Sequence, residues 1–238
     1  MDRKAVIVGA GGGIGTAVAR ALEAQGYDAI HTVSRSDPGE GSAHVTHWTS
    51  DYSDTSIARI GAAISGGAGQ LERLVICNGV LQGDGFRPER ALRQLDSDVT
   101  SHIFHANATI PMLWLGAFTD AIRGAEAPRV AVLSARVGSI EDNRLGGWYS
   151  YRASKAALNM MLRCASVEFT RINKRAQILA FHPGTVDTDL SRPFQRGVPE
   201  GKLFTPEFVA SRLVTLLDGL GPSGELKYLD WDGQAIPF

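Results

Sequence analysis

The stretch AVIVGAGGGIG, residues 5–15, decides the fold of this chain. Its first part, Ala5 to Val8, is a short apolar run rich in β-branched residues, which is typical of a buried parallel strand. The glycines that follow let the backbone turn sharply. Thr16 to Gln25 then has the apolar spacing of a helix that ends at Gly26. The segment therefore predicts a strand, a glycine-rich loop and a helix in succession.

This layout is the one in which α/β proteins hold the pyrophosphate of a dinucleotide. The backbone must approach the phosphates closely, and the N-terminus of the following helix offers free N–H groups and a positive dipole end. The residues expected to make this contact are Gly9, Gly13, Ile14 and Gly15. The same glycines would weaken the helix of a secretory signal peptide, so we do not interpret residues 1–19 as one.

The second predicted strand, Ala29 to Val33, is followed by Ser34 and Arg35. An acid at this place binds the ribose hydroxyls of NAD, whereas an arginine accommodates the 2′-phosphate of NADP. No acid occupies the strand end, and a planar guanidinium suits a phosphate. The pair therefore predicts NADP(H) as the cofactor and makes NAD(H) less favoured. Asp37 is near enough to leave NAD(H) as an alternative cofactor. Arg35 could also be an exposed loop residue with no role in binding.

Further short apolar runs predict the remaining strands, and helical patterns separate them. A possible strand lies at 44–48, and others are expected at 74–77, 130–133, 178–181 and 226–229. Helices are expected at 53–64, within 91–121, at 149–169 and at 206–217, the last capped by Thr205. This alternation predicts one α/β domain over residues 1–238, with a doubly wound parallel sheet of about seven strands and helices on both faces.

Candidate binding residues follow most of these strands. They are Asp51, Tyr52, Asn78, Gly79, Ser134, Pro183, Val186 and Thr188. Ligands of parallel sheets bind beyond the carboxyl ends of the strands, so we expect these residues to converge with the glycine loop on one edge. Asp51 there suits an adenine amino group, although it or Asp54 could equally cap the helix that follows.

The helix at 149–169 carries Tyr151 and Lys155, which are four residues apart and hence share one helix face. A free tyrosine has a pKa of about 10, and a fixed ammonium beside it lowers that pKa. Such a phenol can exchange a proton with a carbonyl oxygen near neutral pH. Asn107 is a further candidate, because a polar residue in an apolar helix must be hydrogen-bonded, whether its role is structural or functional. Pro111 predicts a kink in the same helix.

The composition excludes several other classes of protein. The 238 residues are 44% hydrophobic and 21% charged, with a formal net charge of -1, so neither nucleic acid nor an anionic membrane is an expected partner. No apolar run reaches the about 18 residues that span a bilayer. The two cysteines, Cys77 and Cys164, are expected to be buried free thiols, which fits a cytoplasmic location. His102 and His105 lack the neighbouring ligands that a metal site needs.

Over nearly its full length the chain resembles the short-chain dehydrogenase/reductase family. Four motifs carry the likeness: GxxxGxG (Gly9, Gly13, Gly15), a helix-borne asparagine (Asn107), YxxxK (Tyr151, Lys155) and PG-x-x-x-T (Pro183-Gly184 to Thr188). The segments 138–140 and 146–152 further resemble its C-factor and sniffer-like branch, which is related to carbonyl reductases.

The resemblance implies a Rossmann-type fold and hydride transfer between a nicotinamide and a small carbonyl or alcohol substrate. Tyr151 would be the acid or base, and Lys155 would lower its pKa and bind the nicotinamide ribose. Asn107 would hold a water that relays protons. A homodimer or homotetramer, formed through the helices within 91–121 and 149–169, is also implied.

One departure from the family bears on the chemistry. Its Ser-Ser-x-x-Gly segment aligns with residues 134–138, where the second serine is replaced by Ala135. Ser134 or Ser139 is expected to supply the missing hydroxyl, the sequence does not choose between them, and both could be plain loop residues. The replacement also favours a second hypothesis, a cofactor-binding signalling or regulatory protein with vestigial activity. The substrate depends on the loops 80–90, 136–148 and 190–204.

Overall fold

A computed structural model describes residues 3–36 and 42–238. Its main sheet consists of β1 (Arg3–Val8), β2 (Ala29–Ser34), β3 (Val45–Thr49), β4 (Gln70–Ile76), β5 (Arg129–Leu133), β6 (Gln177–His182) and β9 (Lys227–Asp230). The helices are α1 (Gly13–Ala24), α2 (Asp54–Gly66), α3 (Ser97–Phe104), α4 (Ile110–Ala117), α5 (Thr119–Gly124), α6 (Tyr149–Ile172) and α7 (Pro206–Gly219). The short strands β7 (Thr185–Val186) and β8 (Leu203–Phe204) pair with each other.

The main sheet has the order β3-β2-β1-β4-β5-β6-β9, and every neighbouring pair is parallel. The chain proceeds outward from β1 to β3 and then returns to place β4 on the other side of β1. A reversal of this kind opens a ligand crevice at the carboxyl ends of the two strands beside it. The predicted doubly wound α/β fold with seven strands is therefore confirmed. The largest difference in a strand boundary is β4, which begins at Gln70 rather than residue 74.

Side chains of the strands alternate between two hydrophobic cores, one on each face of the sheet. In β1, Ala5 and Ile7 pack with α1 and α7. Val6 and Val8 of the same strand pack with α2, α4 and α6 on the opposite face. A strand buried on both faces is apolar at every position, which is why short continuous apolar runs revealed the sheet.

The helix that contains Asn107 is a continuous rod with one widened turn. α3 passes into a π-helical turn, His105–Thr109, and then into α4. The kink predicted at Pro111 takes the form of this turn, and it lies just before the proline. Proline has no N–H to donate to the carbonyl four residues earlier, which belongs to Asn107, and its ring crowds that carbonyl. Such π turns occur often at functional sites.

The exposure of the two cysteines differs from the prediction. Cys77 is half-buried and Cys164 is exposed, both as free thiols, so the prediction that both are buried is wrong for Cys164. The apolar neighbours of Cys164 along the sequence belong to other faces of α6. Among the described helices, none has the length and apolar character required to cross a membrane.

A close contact between α2 and α4 gives a test of this packing. A Cβ added at Gly61 would lie 2.6 Å from the Cβ of Ala117. Gly61→Ala should therefore lower the free energy of unfolding by about 1–3 kcal/mol, the usual effect of overpacking, although alanine favours helix more than glycine. Urea denaturation measures the change.

The double variant Gly61→Ala/Ala117→Gly should recover most of the packing loss. Gly66→Ala is the matched control, because a Cβ at that end of α2 would meet no atom within 4 Å. Equal stabilities for Gly61→Ala and the wild type would contradict the described contact.

Candidate active site

The glycine loop between β1 and α1 packs backbone directly against backbone. A Cβ at Gly15 would lie 2.4 Å from the carbonyl oxygen of Gly9. One at Gly9 would lie 3.1 Å from the backbone of Cys77, and Gly9 also has a φ of +83°. Both space and conformation therefore require glycine in this loop.

The N-terminus of α1 opens toward the carboxyl edge of the sheet. Its N-cap, Gly12, has no side chain to cap the helix, and the first helical bond runs from Thr16 N–H to Gly12 C=O. The N–H groups of Gly13, Ile14 and Gly15 consequently have no partner within the helix. These three groups and the helix dipole form a site that favours an anion.

The end of β2 borders this loop. Ser34 is buried, and its Oγ would lie 3.4 Å from a Cβ added at Gly11. The Ser34 hydroxyl donates to the carbonyl of Ser36. Arg35 is exposed just beyond the strand. Asp37, the competing acid, lies outside the described residues.

Asp51 follows β3 and is fully exposed. Its Oδ1 accepts from the N–H and the hydroxyl of Ser53, at 2.9 and 2.7 Å, and these bonds lower the pKa of its carboxyl. The N-cap of α2 is Ser53, whose hydroxyl accepts from Ser56 N–H. The suggestion that Asp51 or Asp54 caps the helix is therefore wrong, because Asp51 precedes the cap and Asp54 is already helical.

Tyr52 and Asn78 lie side by side where β3 and β4 end. Tyr52 has a φ of +63°, and its ring meets that of Trp114 edge-on at 6.3 Å. Burial raises the pKa of Tyr52, and the side chain of Asn78 opposes that rise. Asn78 Oδ1 is buried without a hydrogen-bond partner among the described residues. A buried acceptor in this state is costly, so it is suited to a ligand that donates a hydrogen bond.

Asn107 is fully buried in the π turn, and its amide holds two segments together. Its Oδ1 accepts from Val80 N–H at 2.7 Å, and its Nδ2 donates to Val80 C=O at 2.9 Å and to Ser154 Oγ at 3.0 Å. The side chain therefore fixes the loop after β4 to α6. A Cβ at Gly79, in that loop, would lie 3.5 Å from both Asn107 Oδ1 and Lys155 Nζ.

Tyr151 and Lys155 are both buried on α6. Lys155 Nζ donates to the carbonyl of Leu133 at 2.8 Å, at the end of β5. Burial lowers the pKa of Lys155 to about 8. Burial, with a smaller contribution from Tyr228, raises the pKa of Tyr151 to about 12. The predicted lowering of the Tyr151 pKa is therefore wrong for this structure, because the loss of water around the phenol dominates.

The two candidate serines differ in what their hydroxyls do. Ser134 Oγ donates to Asn159 Oδ1 at 2.7 Å within the core, so its proton is engaged. Ser139 Oγ accepts from Asp142 N–H at 3.0 Å, and its own proton has no acceptor among residues 3–36 and 42–238. Ala135 is half-buried between them, and its carbonyl accepts from the hydroxyl of Tyr228 at 2.6 Å.

The segment after β6 reaches the glycine loop. Pro183 is half-buried and Val186 is buried in β7, which pairs with β8. Thr188 Cγ2 would lie 3.0 Å from a Cβ at Gly13. The residues predicted after β1, β4, β5 and β6 therefore share one edge of the sheet, as expected from their positions after parallel strands.

An aromatic wall stands beside Tyr151, and the motifs did not reveal it. The ring of Trp148 lies 6.2 Å from Tyr151 and 5.1 Å from Phe194. The pair Gly146-Gly147 directly before Trp148 was the available signal, since adjacent glycines mark a special turn. Phe194 belongs to a 3-10 turn, Arg192–Gly197, in the predicted substrate loop.

The histidines form no metal centre in the part of the chain that the structure describes. His102 packs edge-on against Phe86 at 5.6 Å. No group of three His, Cys, Asp or Glu residues within 3–36 and 42–238 is arranged to hold a metal ion.

Comparison with known families decides the class of protein. Residues 3–198 match the family described as short chain dehydrogenase. The chain belongs to the short-chain dehydrogenase family. Family membership and the seven-stranded parallel sheet agree with the resemblance noted in the sequence.

Two curated relatives and two solved structures illustrate the likeness. The C-signal of Myxococcus xanthus is 34% identical over 148 residues, which cover 62% of this chain and 84% of C-signal. The 1-hydroxy-2-glutathionyl-2-methyl-3-butene dehydrogenase of Rhodococcus sp. (strain AD45) is 29% identical over 235 residues, or 98% of both chains. The carbonyl reductase Sniffer of D. melanogaster has a TM-score of 0.84 at 20% identity over 100% of both chains. The NADPH-bound carbonyl reductase from chicken fatty liver has a TM-score of 0.83 at 22% identity over 99% of both chains.

C-signal supports the resemblance to the C-factor branch, and the two solved structures share the fold. The geometry of the glycine loop fits the nicotinamide dinucleotide that this family uses. The backbone amides at the α1 N-terminus are open, and a Cβ at Gly15 would block the close approach of the loop backbone. Asn78 Oδ1 is buried and has no hydrogen-bond partner among the described residues.

The buried ammonium of Lys155 predicts how stability changes with pH. Its folded pKa of about 8 lies below that of an exposed lysine, about 10.4, so between these values the unfolded chain binds more protons. The destabilising effect is fully present below pH 8 and diminishes as the pH rises toward 10.4, by at most about 1.4 kcal/mol per pH unit. The wild type should therefore gain stability between pH 8 and pH 10, whereas Lys155→Met, which has no titrating group at this position, should not.

Urea denaturation at pH values from 7 to 10 measures this difference. Lys174→Met, at an exposed position, is the matched control and should follow the wild type at every pH. Parallel profiles for the wild type and Lys155→Met would show that Lys155 is not buried as described.

Proposed function

We propose that this protein is an NADP(H)-dependent oxidoreductase that interconverts a small carbonyl compound and its alcohol, with Tyr151 as the general acid and base. The observation that carries the proposal is the meeting of the open α1 N-terminus with the buried Tyr151 and Lys155 at one edge of the sheet. An anion site beside a buried proton donor is the arrangement that nicotinamide-dependent carbonyl chemistry requires.

The cofactor is held by residues from each strand end. The amides of Gly13, Ile14 and Gly15 bind the pyrophosphate, and Arg35 binds the 2′-phosphate beside Ser34. The remaining contacts come from Gly9, Asp51, Tyr52, Asn78, Gly79, Lys155, Pro183, Val186 and Thr188. When bound, the cofactor supplies or accepts the hydride. The reductase from chicken fatty liver binds NADPH, which supports the same preference here.

Proton transfer depends on the burial of Tyr151. Because burial raises its pKa to about 12, Tyr151 stays protonated at neutral pH and can donate to a carbonyl oxygen as that oxygen gains charge. Lys155, with a pKa of about 8, can exchange protons near neutral pH. The backbone carbonyl of Asn107 lacks the usual N–H donor four residues on, which Pro111 removes, and would accept from a relaying water.

The hydroxyl that replaces the serine expected at position 135 comes from Ser139. Its proton has no acceptor in the described part of the chain, whereas the proton of Ser134 is given to Asn159. A hydroxyl donor that reached the substrate oxygen would stabilise the charge that develops there.

Replacement of the Tyr151 hydroxyl tests the assignment. In Tyr151→Phe, kcat for NADPH-dependent reduction of a panel of aldehydes, ketones and quinones should fall by about 10²–10⁴-fold, the usual contribution of acid–base catalysis. The dissociation constant of NADPH should stay within about twofold, because the proposed phosphate contacts lie elsewhere.

Tyr149→Phe, two residues away and exposed, is the matched control and should retain full turnover. In the same assay Ser139→Ala should reduce kcat more than Ser134→Ala. Full turnover by Tyr151→Phe would end the assignment.

The preference for NADP(H) is tested at Arg35. Arg35→Ala removes the guanidinium that binds the 2′-phosphate, so the dissociation constant of NADPH should rise by about tenfold or more, the effect of losing a charge-assisted hydrogen bond. NADH serves as the internal control, because it lacks that phosphate. Equal changes for NADPH and NADH in a titration of both would contradict the role of Arg35.

The alternative of a signalling or regulatory protein with vestigial activity has two observations in its favour. They are Ala135 and the similarity to C-signal. The buried Tyr151–Lys155 pair and the similarity to the Rhodococcus dehydrogenase over 98% of both chains favour the enzyme. Tight NADPH binding without turnover of any carbonyl probe would reverse this choice.

We also propose a homodimer or homotetramer in the cytoplasm. Exposed apolar side chains on α6, namely Met160, Met161 and Val167, support association through that helix. The free thiols Cys77 and Cys164 fit a reducing compartment. Sedimentation equilibrium that gives the monomer mass would refute the assembly.

A further inference from the structure

The turn that leads into α6 has an uncommon backbone. Gly146, Gly147 and Trp148 have consecutive φ values of +62°, +63° and +51°. A non-glycine residue enters this left-handed region at a cost of about 1–2 kcal/mol. Trp148 is also the N-cap of α6, yet its side chain makes no capping bond. Contacts from outside the turn must therefore stabilise it.

Glu89, in the loop between β4 and α3, provides these contacts. Its backbone carbonyl accepts from Trp148 N–H at 2.5 Å. Its carboxylate accepts from Ser150 N–H at 3.3 Å and from the Ser150 hydroxyl. Arg152 completes the arrangement, since its Nε donates to the carbonyls of the two glycines at 3.1 and 3.0 Å.

The burial of Glu89 makes these bonds energetically important. The residue is only 5% exposed, and a buried carboxylate needs compensating partners. None of the ion pairs formed by described residues includes Glu89. Its partners at the α6 N-terminus are the Ser150 hydroxyl and the Ser150 N–H, which has no acceptor within the helix. The helix dipole at this end favours negative charge. Glu89 thus does from another loop what a capping side chain does locally.

This cap determines the geometry around the proposed proton donor. Tyr151 is the third residue of α6, one position after Ser150, so the cap fixes the backbone that carries the phenol. The left-handed conformation of Trp148 places its indole beside the Tyr151 ring and against Phe194. Glu89 therefore connects the loop after β4 to both the proton donor and the aromatic wall.

We propose that Glu89 is a positioning residue, which caps α6 from the loop after β4 and holds Tyr151 and Trp148 in place for the substrate. The proposal rests on the proposed function in so far as it concerns turnover. The capping itself is independent of that function and is measured separately.

Hydrogen–deuterium exchange of the peptides that cover residues 146–155 tests the cap in the absence of substrate. Glu89→Ala should lose protection there, because Ser150 N–H loses its acceptor. Glu89→Gln keeps an oxygen acceptor of the same reach and should retain protection. Ser150→Ala removes the hydroxyl contact with no change at residue 89 and should also raise exchange. Asp84→Ala, at an exposed position of the same loop, is the matched control.

Steady-state kinetics with NADPH and the carbonyl panel then tests positioning. Glu89→Ala should lower kcat by about 10²-fold, the effect of a misplacement near 1 Å, and raise the KM for the carbonyl compound. The dissociation constant of NADPH should stay within about twofold, and Glu89→Gln should recover most of kcat.

Unchanged exchange in a folded Glu89→Ala protein would overturn the cap, and unchanged kcat and KM despite faster exchange would overturn the positioning role. An inactive wild type with the predicted exchange pattern would refute the proposed function and leave the cap supported.

Discussion

The close approach of Gly15 to the carbonyl of Gly9 is the constraint on which the rest of the site depends. A Cβ at Gly15 would lie 2.4 Å from that oxygen, so only glycine lets α1 begin directly against the end of β1. This contact places the unpaired amides of α1 at the point where the strand order reverses. An anion site then results from backbone geometry alone, and the side chains around it are free to select the cofactor and perform chemistry.

The second determinant of the site is the exclusion of water from the Tyr151 and Lys155 side chains on α6. Tyr151 and Lys155 are buried together, and the dehydration of each opposes its charge. Lys155 is compensated by the Leu133 carbonyl at the end of β5, while Asn107 fixes the loop after β4 against the same helix. Glu89 caps the helix from that loop. The proposed proton-transfer groups are therefore held by contacts from three separate segments, which is what a rigid site requires.

Much of this arrangement could be predicted from the sequence, and the remainder depends on tertiary contacts. Strands buried on both faces give continuous apolar runs, and residues after parallel strands must meet at one edge, so fold and candidate site followed from local patterns. The sign of the Tyr151 pKa shift did not, because spacing places a lysine near a tyrosine but does not show how much water remains. Glu89 could not be found either, since 61 residues separate it from Ser150.

Hydride transfer is the claim on which the functional account stands, and isotope transfer measures it most directly. The protein would be incubated with NADPH deuterated on either face of nicotinamide C4 and with an aldehyde or ketone probe. Mass spectrometry would locate the label. The account predicts one deuterium on the carbinol carbon from one labelled cofactor and none from the other. Bound cofactor without label transfer from either face, for any aldehyde or ketone tried, would contradict it.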